Sequence, residues 1–230
     1  MKILVAGATG AIGRPLIAQL VAEGHDVVGL TRVESRAAEL RARGAEAIVC
    51  DVLEQDAARN AVLAVKPDVI VDQLTSLPRD YNVRKMAKFY AANDRVRRIG
   101  TAALVEAAKE AGVRRYVVQS IAFLYAPDGG GVKSETARPW TDAPEPFAES
   151  VRVLVRNEQM VAEATEFAGL ALRFGMLYGP GTYYASDGSI ASQIRKRQFP
   201  IVGNGGGVTS YLHVSDAAAA IVRAVDHGAP

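Results

Sequence analysis

The sequence predicts an α/β fold built on a doubly wound parallel sheet with helices on both faces. Two observations predict it. Short apolar segments alternate with helical apolar patterns along the chain, and strand–helix alternation is typical of a parallel sheet. A glycine turn directly follows the first apolar segment, in the sequence Gly7-Ala8-Thr9-Gly10-Ala11-Ile12-Gly13.

The predicted elements follow that alternation along the whole chain, as one domain, 1–230. We expect strands at 2–6, 26–30, 46–50, 68–72, 115–119, 170–174 and about 210–213. We expect helices at 12–23, 34–42, 55–64, 82–111, 147–168, 188–197 and 215–226.

The first strand, the glycine turn and the first helix form the most specific local signal. Ile3 to Ala6 is an apolar run typical of a buried strand, and an apolar stripe beginning at Leu16 indicates a helix after the turn. Glycines allow a tight turn and a close backbone approach, and the free N–H groups of a helix N-terminus attract a pyrophosphate. This arrangement predicts a Rossmann-type dinucleotide site, bound through Gly7, Thr9, Gly10, Ala11, Ile12 and Gly13.

The end of the second strand favours NADP(H) over NAD(H). NAD sites of this type carry an acidic residue there, which accepts a hydrogen bond from the ribose 2′-hydroxyl. Here the strand ends in Thr31 and Arg32, and the Arg32 guanidinium suits a 2′-phosphate, with Arg14 and Arg36 able to join it. The alternative is that Arg32 stacks on adenine or faces solvent, in which case the cofactor is NAD(H).

Two segments are expected on the substrate side of the sheet. The segment 126–146 contains 4 prolines, 3 glycines and the only tryptophan, Trp140, which covers a substrate or merely pins the loop. Ligands bind at the C-terminal edge of such sheets, and a long loop inside a compact domain is usually functional or disordered. Together with 176–210 it predicts a small substrate-binding region, incomplete if the protein ends at Pro230.

Composition excludes several other classes. A net charge of +2 gives no reason to expect nucleic acid as a partner, and no segment is apolar enough to suggest a membrane span. The N-terminus enters a strand directly, so we expect no signal peptide, and the single cysteine, Cys50, fits a cytoplasmic protein. The 3 histidines show no metal-ligand spacing, so no metal is predicted.

Three segments resemble one known family, in the family's order. They are the glycine turn at 7–13, the sequence LRFGMLYGPG at 172–181 and the sequence YLHVSDAA at 211–218. They resemble motifs of the extended short-chain dehydrogenase/reductases, the NAD(P)-dependent epimerase/dehydratase-like family. The resemblance implies a small-molecule substrate and a homodimer through the long helices that follow the fourth and fifth strands.

The resemblance also assigns further cofactor contacts. Asp51 and Val52 resemble the family's adenine-contacting pair, and Gln73, Leu74 and Thr75 occupy the position of the loop behind the nicotinamide ribose. The competing roles are an N-cap for Asp51 and turn chemistry for Thr75. The expected contacts also include Ser120 and Phe174.

The chain departs from the family at the catalytic residues. The family uses a Ser or Thr after the fifth strand and a Tyr-x-x-x-Lys motif on the next long helix. One helical turn places that ammonium beside the phenol and lowers the pKa of the phenol. Aligned through Glu158, this chain has Ser150 and Leu154 at the two positions. Ser120 and Tyr125 remain as the candidates for catalysis.

A Tyr-x-x-x-Lys pattern does occur elsewhere, at Tyr81 and Lys85. It follows the fourth predicted strand instead of the fifth, so it is not the family's motif. Solvated helix residues are the favoured interpretation. The alternative is that Tyr81 faces the site.

These observations predict an atypical NADP(H)-dependent oxidoreductase without the usual Tyr-x-x-x-Lys pair. Losing a positioned acid costs about 10²- to 10⁴-fold in rate, so we expect an activated acceptor such as a conjugated system. The alternative from another class is a non-catalytic NAD(P)-binding sensor or scaffold protein. A sugar-nucleotide epimerase is the third hypothesis, and Ser150 and Leu154 argue against it.

Overall fold

The computed structural model describes residues 1–78, 80–129, 131–201 and 203–227. The strands are β1 (Lys2–Ala6), β2 (Asp26–Thr31), β3 (Glu46–Val49), β4 (Val69–Asp72), β5 (Arg115–Ile121), β6 (Ala168–Phe174), β7 (Met176–Tyr178) and β8 (Tyr211–His213). The α-helices are α1 (Gly13–Ala22), α2 (Glu34–Ala42), α3 (Gln55–Val65), α4 (Met86–Ala111), α5 (Phe147–Ala162), α6 (Ser189–Arg195) and α7 (Val214–His227).

Six strands form one parallel sheet in the order β3-β2-β1-β4-β5-β6. β1 lies between β2 and β4, with Ile3 opposite Val27 on one side and Val69 on the other. The strand order reverses between β1 and β4, which is where a doubly wound sheet binds ligands. The predicted fold class is confirmed. β7 and β8 pair separately as a two-stranded parallel sheet.

Apolar cores cover both faces of the large sheet. Leu4 and Ala6 of β1 join the core that includes Leu104 on α4. Ile3 and Val5 of the same strand join the core on the other face, with side chains from α1 and α7. Successive strand residues point to opposite faces, so a strand covered on both sides must be apolar throughout. This explains why β1 is a continuous apolar run.

The structure shortens one predicted helix and adds one strand. The helix predicted over 147–168 ends at Ala162, and 168 already begins β6. Gly169 of β6 packs closely on the last turn of this helix, since a Cβ at Gly169 would lie 1.9 Å from the carbonyl oxygen of Val161. The added strand is β7, which lies in the segment 176–210 that we expected to be a substrate-side loop.

The predicted loop 126–146 is tied to itself by backbone pairing. Ala126 donates to the carbonyl of Arg138 at 2.9 Å, and Trp140 donates to the carbonyl of Leu124 at 2.7 Å. The predicted domain 1–230 and the loops 126–146 and 176–210 include residues 79, 130, 202 and 228–230, which lie outside the described residues. Among the described helices, none has the length and apolar character needed to cross a bilayer.

Gly169 should be the glycine whose replacement most disturbs the packing of α5 on β6. In Gly169→Ala the new methyl meets the Val161 backbone, which cannot move aside as a side chain can, so we expect a loss of about 1–3 kcal/mol in the free energy of unfolding. Gly207→Ala is the control, because no atom lies within 4 Å of a Cβ built there. Urea unfolding of both variants makes the comparison, and equal stability of the two would contradict this packing.

Candidate functional site

The glycine turn is packed too closely for any side chain at two of its positions. Gly7 has a φ of +80°. A Cβ at Gly7 would lie 2.4 Å from the carbonyl oxygen of Gln73, and one at Gly13 would lie 2.4 Å from the carbonyl oxygen of Gly7. The backbone of the turn is therefore packed directly against the end of β4 and the start of α1.

This turn leaves peptide donors available at the N-terminus of α1. Gly10 donates to the Gly7 carbonyl at 2.9 Å. The N–H groups of Ala11, Ile12 and Gly13 donate no backbone hydrogen bond within the part of the chain that the structure describes. Free N–H groups at the positive end of a helix suit a phosphate. The turn therefore fits the pyrophosphate of a dinucleotide.

The ends of β2 and β3 form the neighbouring part of the crevice. Arg32 is exposed there, and Arg36 approaches the glycine turn, with its Nη1 atom 3.5 Å from the Thr9 hydroxyl. Thr31 is buried beside them. Arg14, by contrast, is engaged by Glu39, which accepts from the Arg14 Nε at 2.8 Å. Arg32 and Arg36 are thus the basic side chains at this edge that a 2′-phosphate could recruit.

The predicted adenine-contacting pair has one clear local role. The Asp51 carboxylate accepts from the Leu53 N–H at 3.0 Å, while the N-cap position of α3 is Glu54. The N-cap alternative for Asp51 is therefore wrong, and its side chain forms a local turn. Val52 is buried against Gly100 of α4, where a Cβ would lie 2.9 Å from the Val52 side chain.

Two buried polar atoms at the ends of neighbouring strands lack hydrogen-bond partners. Gln73 follows β4 and Ser120 lies near the end of β5, and these strands are paired. Gln73 Oε1 and Ser120 Oγ are both buried and unpartnered among the described residues. Buried polar groups normally find a partner, so a polar ligand at this edge would complete both. Thr75 is half-buried beyond Gln73, whereas Phe174 is buried in the core that contains α1.

The Tyr125 hydroxyl accepts a hydrogen bond from an arginine that is itself paired with a glutamate. Arg173 Nη1 donates to the Tyr125 hydroxyl at 2.8 Å, and the guanidinium donates through Nε and Nη2 to both carboxylate oxygens of Glu158, at 2.9 and 2.5 Å. The hydrogen bond to Glu158 is the main cause that raises the pKa of Arg173. Since the Tyr125 oxygen accepts from Arg173, its own proton is free to be donated elsewhere.

Ser150 and Leu154, which align with the family's catalytic tyrosine and lysine, are both buried. Ser150 is 3% exposed, and its hydroxyl donates to Asp94 Oδ2 on α4 at 2.7 Å. Leu154 packs in a small apolar cluster with Leu124. This part of α5 therefore presents neither a phenol nor an ammonium group.

A buried polar network lies beneath the site, and the sequence analysis missed it. Tyr116 donates its hydroxyl proton to the Asp72 carboxylate at 2.9 Å. Burial raises the pKa of Asp72 and of Asp94, while the Arg97 guanidinium opposes both shifts. Asp94, Arg97 and Thr101 are spaced i, i+3 and i+7 on α4. That polar spacing on a helix face is the signal that could have identified them.

Tyr81 and Lys85 do not share a helical turn. Val83–Lys85 form a short 3₁₀ turn and α4 begins at Met86. The Tyr81 backbone is instead tied to α6: its N–H donates to the Ser189 hydroxyl at 2.9 Å, and its carbonyl accepts from the Gln193 amide at 3.0 Å. Its ring packs edge-on against another tyrosine, Tyr183, at 5.6 Å between centroids.

The segment after β7 brings further tyrosines close to Tyr81. The sequence analysis did not identify them as neighbours. Tyr183 donates to the carbonyl of Pro78 at 2.9 Å, and burial raises its pKa to about 12. Tyr184 packs edge-on against Tyr211 at 5.4 Å. We call Tyr81, Tyr183, Tyr184 and Tyr211 the tyrosine cluster. The same segment reaches the glycine turn, since a Cβ at Gly181 would lie 3.7 Å from the Ala11 Cβ.

Comparison with known proteins decides the family. The model of the "NAD dependent epimerase/dehydratase family" matches residues 3–230. The chain belongs to this family. Family membership agrees with the glycine turn and with the crevice between β1 and β4. In the alignment through Glu158, Ser150 and Leu154 stand at the positions of the family's usual catalytic pair.

Members similar to this chain include a curated reductase and two solved structures. The chain is 47% identical over 229 residues to a "3-diazoavenalumate denitrifying reductase" from a Streptomyces species, covering 98% of this chain and 72% of that protein. It resembles the Thermus thermophilus UDP-glucose 4-epimerase in complex with NAD (TM-score 0.76, 22% identity, 98% and 75% of the two chains). It also resembles MoeE5 in complex with UDP-glucuronic acid and NAD (TM-score 0.75, 27% identity, 98% and 72%).

Arg97 should be essential to the buried network. In Arg97→Met the buried carboxyls of Asp72 and Asp94 lose the nearby positive charge that lowers their pKa values, so we expect the free energy of unfolding to fall by about 1–3 kcal/mol at neutral pH. Both carboxyls have raised pKa values in the folded state, so protonation relieves the burial penalty. The loss should therefore shrink as the pH is lowered and grow as it rises through those pKa values.

The matched control is Arg95→Met, which removes an exposed arginine from the same helix. An exposed substitution is expected to change stability by no more than about 0.5 kcal/mol. Denaturant unfolding at neutral and acidic pH compares the two. Similar losses in both variants, or a loss in Arg97→Met that does not depend on pH, would show that Arg97 does not balance these carboxyls.

Proposed function

We propose that this family member is an NADP(H)-dependent reductase of an activated acceptor, and that aromatic diazo compounds are the acceptor class. One observation carries the proposal: 47% identity, along 98% of the chain, to a reductase whose name describes denitrification of a diazo compound. The substitutions at Ser150 and Leu154 agree with it, because they remove the groups that an ordinary carbonyl reduction needs.

The acceptor must not depend on a positioned proton donor on α5. A reduced nicotinamide in the crevice supplies a hydride. A carbonyl that takes up a hydride also needs a proton on its oxygen, the task of the family's tyrosine. A diazonium cation that takes up a hydride and loses N₂ gains a C–H bond, so atoms and charge balance with no proton from the protein. The reaction then does not need the tyrosine and lysine that Ser150 and Leu154 replace.

The remaining residues at this edge have roles that suit such a reaction. The Ser120 hydroxyl and the Gln73 amide oxygen have no hydrogen-bond partner among the described residues, so both are available to orient the cofactor or the acceptor. Tyr125, fixed by Arg173, is the phenol available to donate a hydrogen bond to the acceptor. Tyr81 and Tyr183 of the tyrosine cluster supply flat apolar surface, which favours an aromatic acceptor over a sugar.

The preference for NADP(H) rests on Arg32 and Arg36. Both are exposed beside the end of β2, where the chain has no acidic residue to hold a ribose 2′-hydroxyl or to repel a phosphate. Charge-assisted hydrogen bonds from a guanidinium to a phosphate are among the stronger hydrogen bonds in proteins.

Acceptor selectivity tests the proposed reaction. We expect purified protein with NADPH to convert 4-carboxybenzenediazonium to benzoate, with stoichiometric oxidation of NADPH. The matched ketone, 4-acetylbenzoate, should react about 10²- to 10⁴-fold more slowly, because α5 carries no tyrosine at the family's position to protonate the ketone oxygen. NADPH oxidation and product mass spectrometry, corrected for the enzyme-free reaction, provide the measurement.

Two outcomes would contradict the proposed reaction. Faster reduction of the ketone than of the diazonium salt would mean that a proton donor is present. Tight cofactor binding with no oxidation by diazo, carbonyl, enone or flavin acceptors would favour the non-catalytic sensor or scaffold. A sensor must also bind the oxidised and reduced cofactors with different affinities, since equal binding shifts no equilibrium.

Cofactor preference is tested separately with Arg32→Ala. Loss of a charge-assisted hydrogen bond worth about 1.5–3 kcal/mol should weaken NADPH binding by roughly tenfold to a hundredfold. Binding of NADH by the same variant is the internal control and should change little. Calorimetric titration of both cofactors into wild type and variant gives the ratio. An equal loss for NADH would show that Arg32 contacts a part common to both cofactors.

A further inference from the structure

Three side chains with metal-binding donors meet at the sheet edge opposite the glycine turn. Glu23 follows α1, His25 immediately precedes β2, and Asp226 lies in the last turn of α7. The sequence spacing gave no sign of this, because Asp226 is about two hundred residues from the other two. One donor atom from each residue lies within 4.8 Å of the donors of the other two.

The His25 imidazole is the unexplained group at this position. Its Nε2 atom is buried and has no hydrogen-bond partner among the described residues, and its side chain is only 11% exposed. The nearest carboxylate oxygen of Asp226 lies 3.6 Å away, too far for a hydrogen bond. A buried nitrogen is normally partnered, so an atom between this nitrogen and the carboxylate would satisfy it.

The electrostatics of the position favour a cation. Glu23 is the C-cap of α1 and Asp226 is near the C-terminus of α7, so both carboxylates lie at the negative ends of helix dipoles, where they are unfavourable. Within the described chain, neither carboxylate forms an ion pair with lysine or arginine.

We infer that Glu23, His25 and Asp226 bind a divalent transition-metal cation of the zinc type. One imidazole nitrogen and two carboxylate oxygens are ligands that Zn²⁺ accepts, and water can occupy a remaining position. The cation would join the C-terminal ends of α1 and α7, which pack on the same face of the sheet. The site is remote from the glycine turn and does not depend on the proposed reaction.

Titration of the full chain with Zn²⁺ tests the site. We expect chelator-treated protein to bind one Zn²⁺ in calorimetry and to unfold at a higher temperature with the metal than without it. His25→Ala and Asp226→Asn should each weaken binding by at least about tenfold, since the loss of even an outer-shell partner has an effect of that size. His227→Ala is the matched control, because it removes the exposed neighbouring histidine and should leave binding unchanged.

Circular dichroism establishes that each variant is folded, and Asp226→Asn, which keeps the side-chain volume, provides the test if His25→Ala does not fold. Dinucleotide affinity should be the same with and without Zn²⁺, which separates this site from the proposed function. The inference is overturned if wild type binds no Zn²⁺. It is also overturned if the folded variants bind as tightly as wild type, or if His227→Ala loses the site.

Discussion

The rest of the structure depends on the backbone contact between the glycine turn and the end of β4. β1 is the inner strand at which the sheet order reverses, and Gly7 at its end lies so close to Gln73 that no side chain fits between them. The same turn leaves the N–H groups of Ala11, Ile12 and Gly13 without backbone partners among the described residues. Gln73 and Ser120 lie at the ends of the paired strands β4 and β5, and one buried side-chain oxygen of each has no partner among the described residues. The shape of the turn that fits a dinucleotide is thus determined first by close backbone packing.

A second constraint concerns the two positions of α5 that align with the family's catalytic pair. Ser150 and Asp94 are hydrogen-bonded between α5 and α4, and Leu154 completes an apolar cluster one turn later. At both positions the side chain therefore packs against neighbouring residues. In the proposed function, Tyr125, which is fixed by Arg173, and the tyrosine cluster contact the acceptor. We propose a flat acceptor that reacts without a donated proton.

The sequence predicts the parts of this molecule that depend on local pattern. The strands, the glycine turn and the first helix follow from apolar periodicity and from the conformations that only glycine adopts. The parts it could not predict depend on contacts between residues that the sequence pattern does not bring together: β6 packs on the last turn of α5 at Gly169, and Ser150 meets an aspartate 56 positions away. Arg32 and Arg36 were predicted beside the crevice and lie there, but their contact with a 2′-phosphate stays a prediction.

The isotope dependence of the hydride-transfer step tests most directly whether this site works without a proton donor. Single-turnover oxidation of NADPH by a diazonium acceptor would be followed with cofactor deuterated at the transferred position, and again in D₂O. The account predicts a primary isotope effect from the cofactor and no solvent isotope effect on the same step. A solvent isotope effect that accompanies the primary one would show that a protein group donates a proton as the hydride moves, and would contradict the account.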